Sequence, residues 1–196
     1  MRRIEEFWIE FNPPAEEEIK APAVLTFCYD LLDSVKGAVI VVFLVFAFVF
    51  KAVGVDGDSM FPTLKDGDWV AVSGVTASVE RGDIVVVTQP WERNVPIIKR
   101  VIALGGDSVY IDFESNEVYV NGVLLDEPYI YEPTWLSYDV EFPLTVEEGK
   151  LFVMGDNRNV SLDSRSSKIG MIDERYVLGK ALVRIYPMSE WNIYEE

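Results

Sequence analysis

Residues 56–64 read Asp-Gly-Asp-Ser-Met-Phe-Pro-Thr-Leu and directly follow the most apolar stretch of the chain. A glycine between two aspartates is typical of a tight turn, and Pro62 prevents a helix from continuing through this point. The segment is therefore predicted to present Ser59 on an exposed, sharply turned piece of backbone. A serine in such a turn is more often a plain polar residue than a nucleophile, so its role depends on the rest of the chain.

The apolar stretch before this turn predicts a membrane anchor. Residues 37–50 are all apolar or small, and continuing through Lys51 to Val55 gives about the 20 residues that a membrane-spanning helix needs. Lys51 can extend its amine to the interface. We therefore expect a retained single-pass helix at 37–55, with a buried core helix or a cleaved secretory leader as the alternatives. Lysines flank both ends, so charge alone does not orient the span.

The remaining sequence divides on either side of this anchor. Residues 1–20 are acidic and typical of a mobile tail, and residues 21–36 have the rough helical periodicity of a lead-in helix. Residues 56–196 are predicted to form one β-rich domain.

This domain has the sequence pattern of a mainly β fold. Short β-branched and aromatic runs alternate with Gly and Asp turns, and Asn121-Gly122 is a strong hairpin signal. No helical pattern alternates with these runs, which disfavours a parallel α/β sheet. Strands are predicted at 69–72, 83–88, 95–104, 108–111, 117–120, 123–125, 151–154 and 177–186, with a less regular excursion at 126–146.

Composition excludes several kinds of chemistry. The chain has no histidine and one cysteine, Cys28, so it contains no Ser-His-Asp triad, Cys-His dyad, His/Cys zinc site or intrachain disulfide. A nucleophilic hydrolase would need a lysine whose amine is deprotonated by desolvation. The net charge of −16 argues against nucleic acid as a partner. No metal or cofactor is expected.

Lys99 is the candidate for such an amine. Ile97, Lys99 and Val101 fall on one face of a predicted strand. A lysine in this setting either protects an edge strand from aggregation or is a desolvated base. The sequence leaves both open.

A polar loop at 155–165 is the second candidate region. It could be a plain surface loop, and the calcium-loop pattern fails because Arg158 and Val160 occupy ligand positions. Asp163 and Arg165 could pair as a brace. Ser161 could hydrogen-bond an amine and orient it.

Together these stretches resemble the three signature boxes of type I signal peptidases, in the order and spacing of that family. The matching stretches are Ser-Met-Phe-Pro-Thr-Leu at 59–64, Lys-Arg-Val-Ile-Ala-Leu-Gly-Gly-Asp at 99–107, Gly-Asp-Asn-Arg at 155–158 with Ser161, and Asp-Ser-Arg at 163–165.

The resemblance implies a membrane-anchored serine endopeptidase that removes signal peptides from exported preproteins, with its catalytic domain outside the cytoplasm. It assigns Ser59 as nucleophile, Lys99 as general base and Ser161 as the residue that orients the amine. Asp163 and Arg165 are implied to brace the site.

Two further expectations concern the oxyanion site and the substrate pockets. Gly57 stands where some members have a hydroxyl residue, so the second oxyanion donor must come from backbone or water, as in the Gly-Asp-Ser variant common in Gram-positive bacteria. The family preference for small side chains at the first and third positions before the cut would need shallow apolar pockets. Val55 and Ile97 are candidates to line them.

Two other functions share parts of this pattern. A self-cleaving repressor-type protease also uses Ser-Lys chemistry, but it would carry a DNA-binding domain and lack the apolar run. An inactive membrane-tethered β module that binds envelope proteins would lack a reactive serine.

Overall fold

The protein is described here from a computed structural model at residues 22–74, 78–88 and 95–194. The acidic tail predicted at 1–20 lies outside these residues. The chain divides into two compact units, residues 1–44 and 45–196.

The N-terminal helix, α1 (Ala23–Val49), begins and ends earlier than the predicted anchor. Its first turn opens at Pro22, whose carbonyl accepts hydrogen bonds from the N–H groups of Leu25 and Thr26. The extension of the helical anchor from residue 50 to 55 is wrong, because Phe50–Gly54 forms strand β1 and pairs with β2 along its whole length. None of the helices in the described ranges combines the length and the apolarity that a membrane span requires.

The second unit is built from two antiparallel sheets, which confirms the mainly β prediction. The large sheet has the order β1-β2-β11-β3-β4-β9-β10, and the small sheet has the order β7-β6-β5-β8. After β1, the strands are β2 (Trp69–Ser73), β3 (Ile84–Val87), β4 (Ile97–Leu104), β5 (Ser108–Asp112), β6 (Glu117–Val120), β7 (Val123–Leu124), β8 (Leu144–Thr145), β9 (Lys150–Met154), β10 (Ile172–Asp173) and β11 (Val177–Tyr186). Short 3₁₀ turns occupy Glu174–Tyr176 and Met188–Glu190.

The predicted hairpin at Asn121-Gly122 is confirmed. Both residues have positive φ, and β6 pairs with β7 directly across the turn. The 126–146 excursion contains only the two-residue strand β8. Strands β1 and β10 were not predicted, because β1 reads as the end of the apolar run and β10 is only two residues long.

The central strands β3 and β4 of the large sheet are buried on both faces. All four residues of β3 are buried; Ile84 and Val86 belong to one apolar cluster and Val85 and Val87 to another. A third cluster joins the small sheet to β4 and β9. The β4 residues Val101, Ile102 and Ala103 are all buried in these apolar clusters.

Gly179 on β11 is essential to this sheet. A Cβ atom there would overlap the carbonyl oxygen of Ser73 on β2 and lie 2.9 Å from the Val72 side chain. We expect Gly179→Ala to lower the free energy of unfolding by about 2–4 kcal/mol in urea titrations, because backbone must move to make room. Gly74→Ala is the matched control, since its added methyl would meet only ordinary contacts. Equal stability of the two variants would contradict this account.

Candidate active site

The segment that carries Ser59 is a closed loop between β1 and β2. The Val55 N–H donates to the Asp68 carbonyl at 2.8 Å, which joins the two ends of the loop. Met60 and Leu64 are buried in the core on the inner side of the loop. Ser59 itself remains partly exposed, as the turn sequence predicts.

Lys99 lies in the interior of the large sheet, so the interpretation of an edge-strand lysine is wrong. Strand β4 pairs with β3 on one side and β9 on the other, and Lys99 stands opposite Val85. Its neighbours two positions away, Ile97 and Val101, pack in the same apolar cluster. Only 4% of Lys99 is exposed.

The structure brings Lys99 and Ser59 together. Lys99 Nζ lies 2.7 Å from Ser59 Oγ and donates to the Ile98 carbonyl at 2.9 Å. Burial is the main cause that lowers the pKa of Lys99 to about 8, since the apolar surroundings disfavour the charged amine. The carboxylates of Asp163 and Asp156 partly oppose this shift. A substantial neutral fraction of the amine is therefore present near pH 8.

Asp163 and Arg165 form the buried pair that the sequence suggests. Arg165 Nε donates to Asp163 Oδ1 at 2.8 Å and Arg165 Nη2 to Asp163 Oδ2 at 2.9 Å. Asp163 also accepts from the Gly155 N–H at 3.1 Å, and Arg165 donates to the Leu136 carbonyl at 2.9 Å. The pair therefore ties the polar loop to the 126–146 excursion.

Ser161 is fully buried near the pair but makes no hydrogen bond to the amine. Its Oγ makes no hydrogen bond within the part of the chain that the structure describes, to Lys99 or to any other group. A Cβ atom added at Gly155 would overlap both Ser161 Oγ and the Ser59 carbonyl oxygen. The backbone at Gly155 therefore packs directly against both the Ser161 hydroxyl and the loop that carries Ser59.

A second ionic network, which the sequence reasoning did not assign, contacts, through Thr63, the loop that carries Ser59. Asp156 accepts from Arg100 at 2.8 and 2.7 Å and from the Thr63 hydroxyl at 2.5 Å. Both charged side chains are buried. Each of the three residues falls inside a signature box, which was the available signal, but their mutual contact depends on how β4 and the two loops pack.

Asn157 adds a backbone connection between the two loops. Its N–H donates to the Ser59 carbonyl at 3.1 Å, and its side-chain amide donates to the Asp58 carbonyl at 3.1 Å. The backbone carbonyls of Asp58 and Ser59 are therefore both hydrogen-bonded to Asn157 of the polar loop.

A cleft of about 750 Å³ opens beside Ser59 and Lys99. Val55 and Ile97, the predicted pocket residues, both line it. The other lining residues are Val53, Gly54, Asp56, Met60, Val95, Pro96, Ile98, Leu162, Lys168 and Ile169.

Comparison with known proteins shows the family of the chain. A profile described as signal peptidase, peptidase S26, matches residues 28–186. The chain belongs to the signal peptidase family. Signal peptidase I of Bacillus licheniformis is 39% identical over 172 residues, covering 83% of this chain and 90% of the relative. Signal peptidase IB of Staphylococcus aureus is 35% identical over 183 residues, covering 81% and 90%.

A solved signal peptidase I from Enterococcus faecalis is 32% identical and covers 53% of this chain and 97% of its own, with a TM-score of 0.43. The family profile and the curated relatives, at 34–39% identity, show that this chain is an enzyme of the signal peptidase I class, a serine endopeptidase.

The backbone around Gly57 limits which groups can serve as oxyanion donors in this signal peptidase family member. Gly57 has a φ of 84°, and its N–H donates to Asp66 Oδ1 at 2.8 Å, so this N–H is engaged. The Ser59 N–H has no acceptor among the described residues. Ser59 therefore offers the free donor next to its own hydroxyl.

The buried amine of Lys99 should destabilise the fold when it is charged. Its folded pKa of about 8 lies below the ordinary 10.5, so the unfolded chain binds more protons between these values and stability rises with pH. We expect Lys99→Met to raise the free energy of unfolding at pH 7 by about 1–3 kcal/mol, measured in urea titrations.

The gain in free energy of unfolding of Lys99→Met over the wild type should shrink as pH rises from 8 towards 10.5. Lys150→Met, at a partly exposed position, is the control for loss of a lysine. A gain that does not change over this range would contradict a desolvated amine.

Proposed function

We propose that this protein is a membrane-bound endopeptidase that removes N-terminal signal peptides from exported preproteins, with Ser59 as nucleophile and Lys99 as general base. The 2.7 Å separation of Lys99 Nζ and Ser59 Oγ, inside an apolar surrounding, carries the proposal. With no histidine in the chain, this pair is the available route to an activated serine at neutral pH.

Acylation follows from the geometry of the pair. Lys99 takes the proton of the Ser59 hydroxyl as Oγ bonds to the carbonyl carbon of the scissile peptide. The Ser59 N–H stabilises the oxyanion, and the second donor is backbone or water because residue 57 has no side chain. The Lys99 ammonium then protonates the leaving amine, which releases the mature protein and leaves an acyl ester on Ser59.

Deacylation reuses the same groups. Lys99 removes a proton from a water molecule, which attacks the ester carbonyl, and the proton returns to Ser59 Oγ as the signal peptide leaves. In this scheme Ser161, Asp163 and Arg165 are positioning residues. The Asp163–Arg165 pair fixes the loop, and the buried, unpartnered hydroxyl of Ser161 is the group proposed to orient the Lys99 amine.

The cleft suits an extended peptide with small side chains. Val55 and Ile97 supply apolar walls next to the nucleophile, so they favour small apolar residues before the cut. The names of the relatives, signal peptidases I and IB, support signal peptides as the substrates.

The membrane anchor is proposed to be α1 (Ala23–Val49), whose residues from 37 onward are all apolar or small, rather than residues 37–55. Large side chains at residues 39–44 are exposed around the helix, a pattern that suits lipid contact on every side. The family resemblance, rather than the charges that flank the helix, supports a position of the β domain on the extracytoplasmic side, where exported preproteins emerge.

Removing either member of the pair should abolish cleavage of a preprotein. We expect Ser59→Ala and Lys99→Ala to lower kcat/KM by at least about 10³-fold, because the two groups act as one unit. Ser108→Ala and Lys150→Ala, on the surface, are the matched controls.

Circular dichroism should show that all four variants are folded. Retained cleavage by Ser59→Ala or Lys99→Ala would end the assignment. Failure of an acylating lipopeptide inhibitor to label Ser59 in the wild type would instead favour an inactive binding module.

The pH dependence of activity should follow the neutral form of the Lys99 amine. With a pKa of about 8, kcat/KM should rise through pH 8 and fall about tenfold for each pH unit below 7. The measurement is peptide cleavage at low substrate concentration across this range. A flat profile from pH 6 to about 8 would argue against lysine as the base.

A further inference from the structure

The cleft carries a second lysine that the catalytic scheme does not use. Among the described lining residues, Lys168 is the only cation other than Lys99, and the only anion is Asp56. The remaining lining residues are mostly apolar. Unlike Lys99, Lys168 is exposed, so it is available to a bound peptide.

The backbone around Lys168 is held firmly in place. Ser167 donates from both its N–H and its hydroxyl to Asp139. On the other side, the N–H groups of Ile169 and Gly170 donate to the Ser166 carbonyl at 3.0 and 2.8 Å. Ile169 also packs against the apolar cluster beneath β3. The lysine is therefore carried at a fixed point on the cleft rim.

The Lys168 ammonium has no ion-pair partner within the residues that the structure describes, in a chain with 33 acidic and 17 basic residues. Asp56, the anion of the cleft lining, forms no salt bridge with it. Because Lys168 is exposed, water and salt screen its charge, so its attraction for an anionic group is modest. A free cation at this point favours an anionic group on the substrate.

We propose that Lys168 is a specificity-determining residue that binds the carboxylate of an Asp or Glu side chain near the scissile bond of the preprotein. The inference rests on the proposed function and identifies one class of its substrates. A peptide is the occupant we favour because Lys168 and Ser59 line the same cleft, so a chain positioned for attack passes both.

The test uses synthetic preprotein peptides with alanine at the first and third positions before the cut. Asp, Asn or Lys is placed at each neighbouring position in turn, and cleavage by the full chain is measured in uncharged detergent. At one or more positions the wild type should cleave the Asp peptide about two- to fivefold faster than the Asn peptide, as expected for an exposed ion pair. The preference should weaken as salt is raised.

Variants at Lys168 show whether this residue causes the preference. Lys168→Met should bring the Asp/Asn ratio of kcat/KM to about 1, and Lys168→Glu should favour the Lys peptide. Lys150→Glu makes the same change in net charge outside the cleft lining and should keep the wild-type ratio. If Lys168→Glu cleaves the Lys peptide faster than the wild type does, Lys168 contacts the substrate, because a purely structural role would not produce that gain.

The outcomes separate this inference from the function on which it depends. An Asp/Asn ratio that is the same in wild type and Lys168→Glu overturns the role of Lys168 alone. If Lys168→Glu weakens binding to vesicles that contain anionic lipid but leaves the Asp/Asn ratio unchanged, the lysine binds phosphate headgroups, which also overturns the inference. Failure of the wild type to cleave any peptide overturns the proposed function together with this inference.

Discussion

The site depends on keeping the Lys99 amine out of water while it touches the Ser59 hydroxyl. Burial lowers the pKa of Lys99 because the apolar faces of the sheet disfavour its charge. Only an interior strand supplies apolar neighbours on both sides, which explains why the lysine is on β4 between β3 and β9. The serine comes to it on a loop anchored by buried apolar residues, so neither group has to move far to react.

Buried ion pairs hold the loops around this contact. Arg100 with Asp156, Arg165 with Asp163 and Arg158 with Glu127 are all largely removed from solvent. Buried pairs of this kind add little net stability, because desolvation offsets their attraction, but breaking one is costly. Their contribution is geometric: Arg100–Asp156 joins β4 to the polar loop, Arg158–Glu127 joins this loop to the 126–146 excursion, and Arg165–Asp163 braces it internally.

The irregular 126–146 excursion completes this arrangement. Glu127 binds Arg158, and the Tyr129 ring lies 4.0 Å from the Arg100 guanidinium. Aromatic and carboxylate groups from the excursion thus cover two arginines that hold the catalytic loops. A segment without regular strands therefore contributes to the site by covering charged groups that would otherwise face water.

The sequence by itself determined the mainly β class, because the alternation of apolar and polar residues is a local property. Its composition excluded imidazole chemistry, and the order of its motifs identified the boxes that contain Ser59, Lys99, Asp163 and Arg165. Tertiary structure decided the rest. Whether Lys99 is at an edge or buried depends on which strands pair with β4, and the contacts of Asp156 join residues more than 50 positions apart. The strand at 50–54 was not predicted for the same reason. Its apolar sequence also suits a helix, and it is a strand because it pairs with β2.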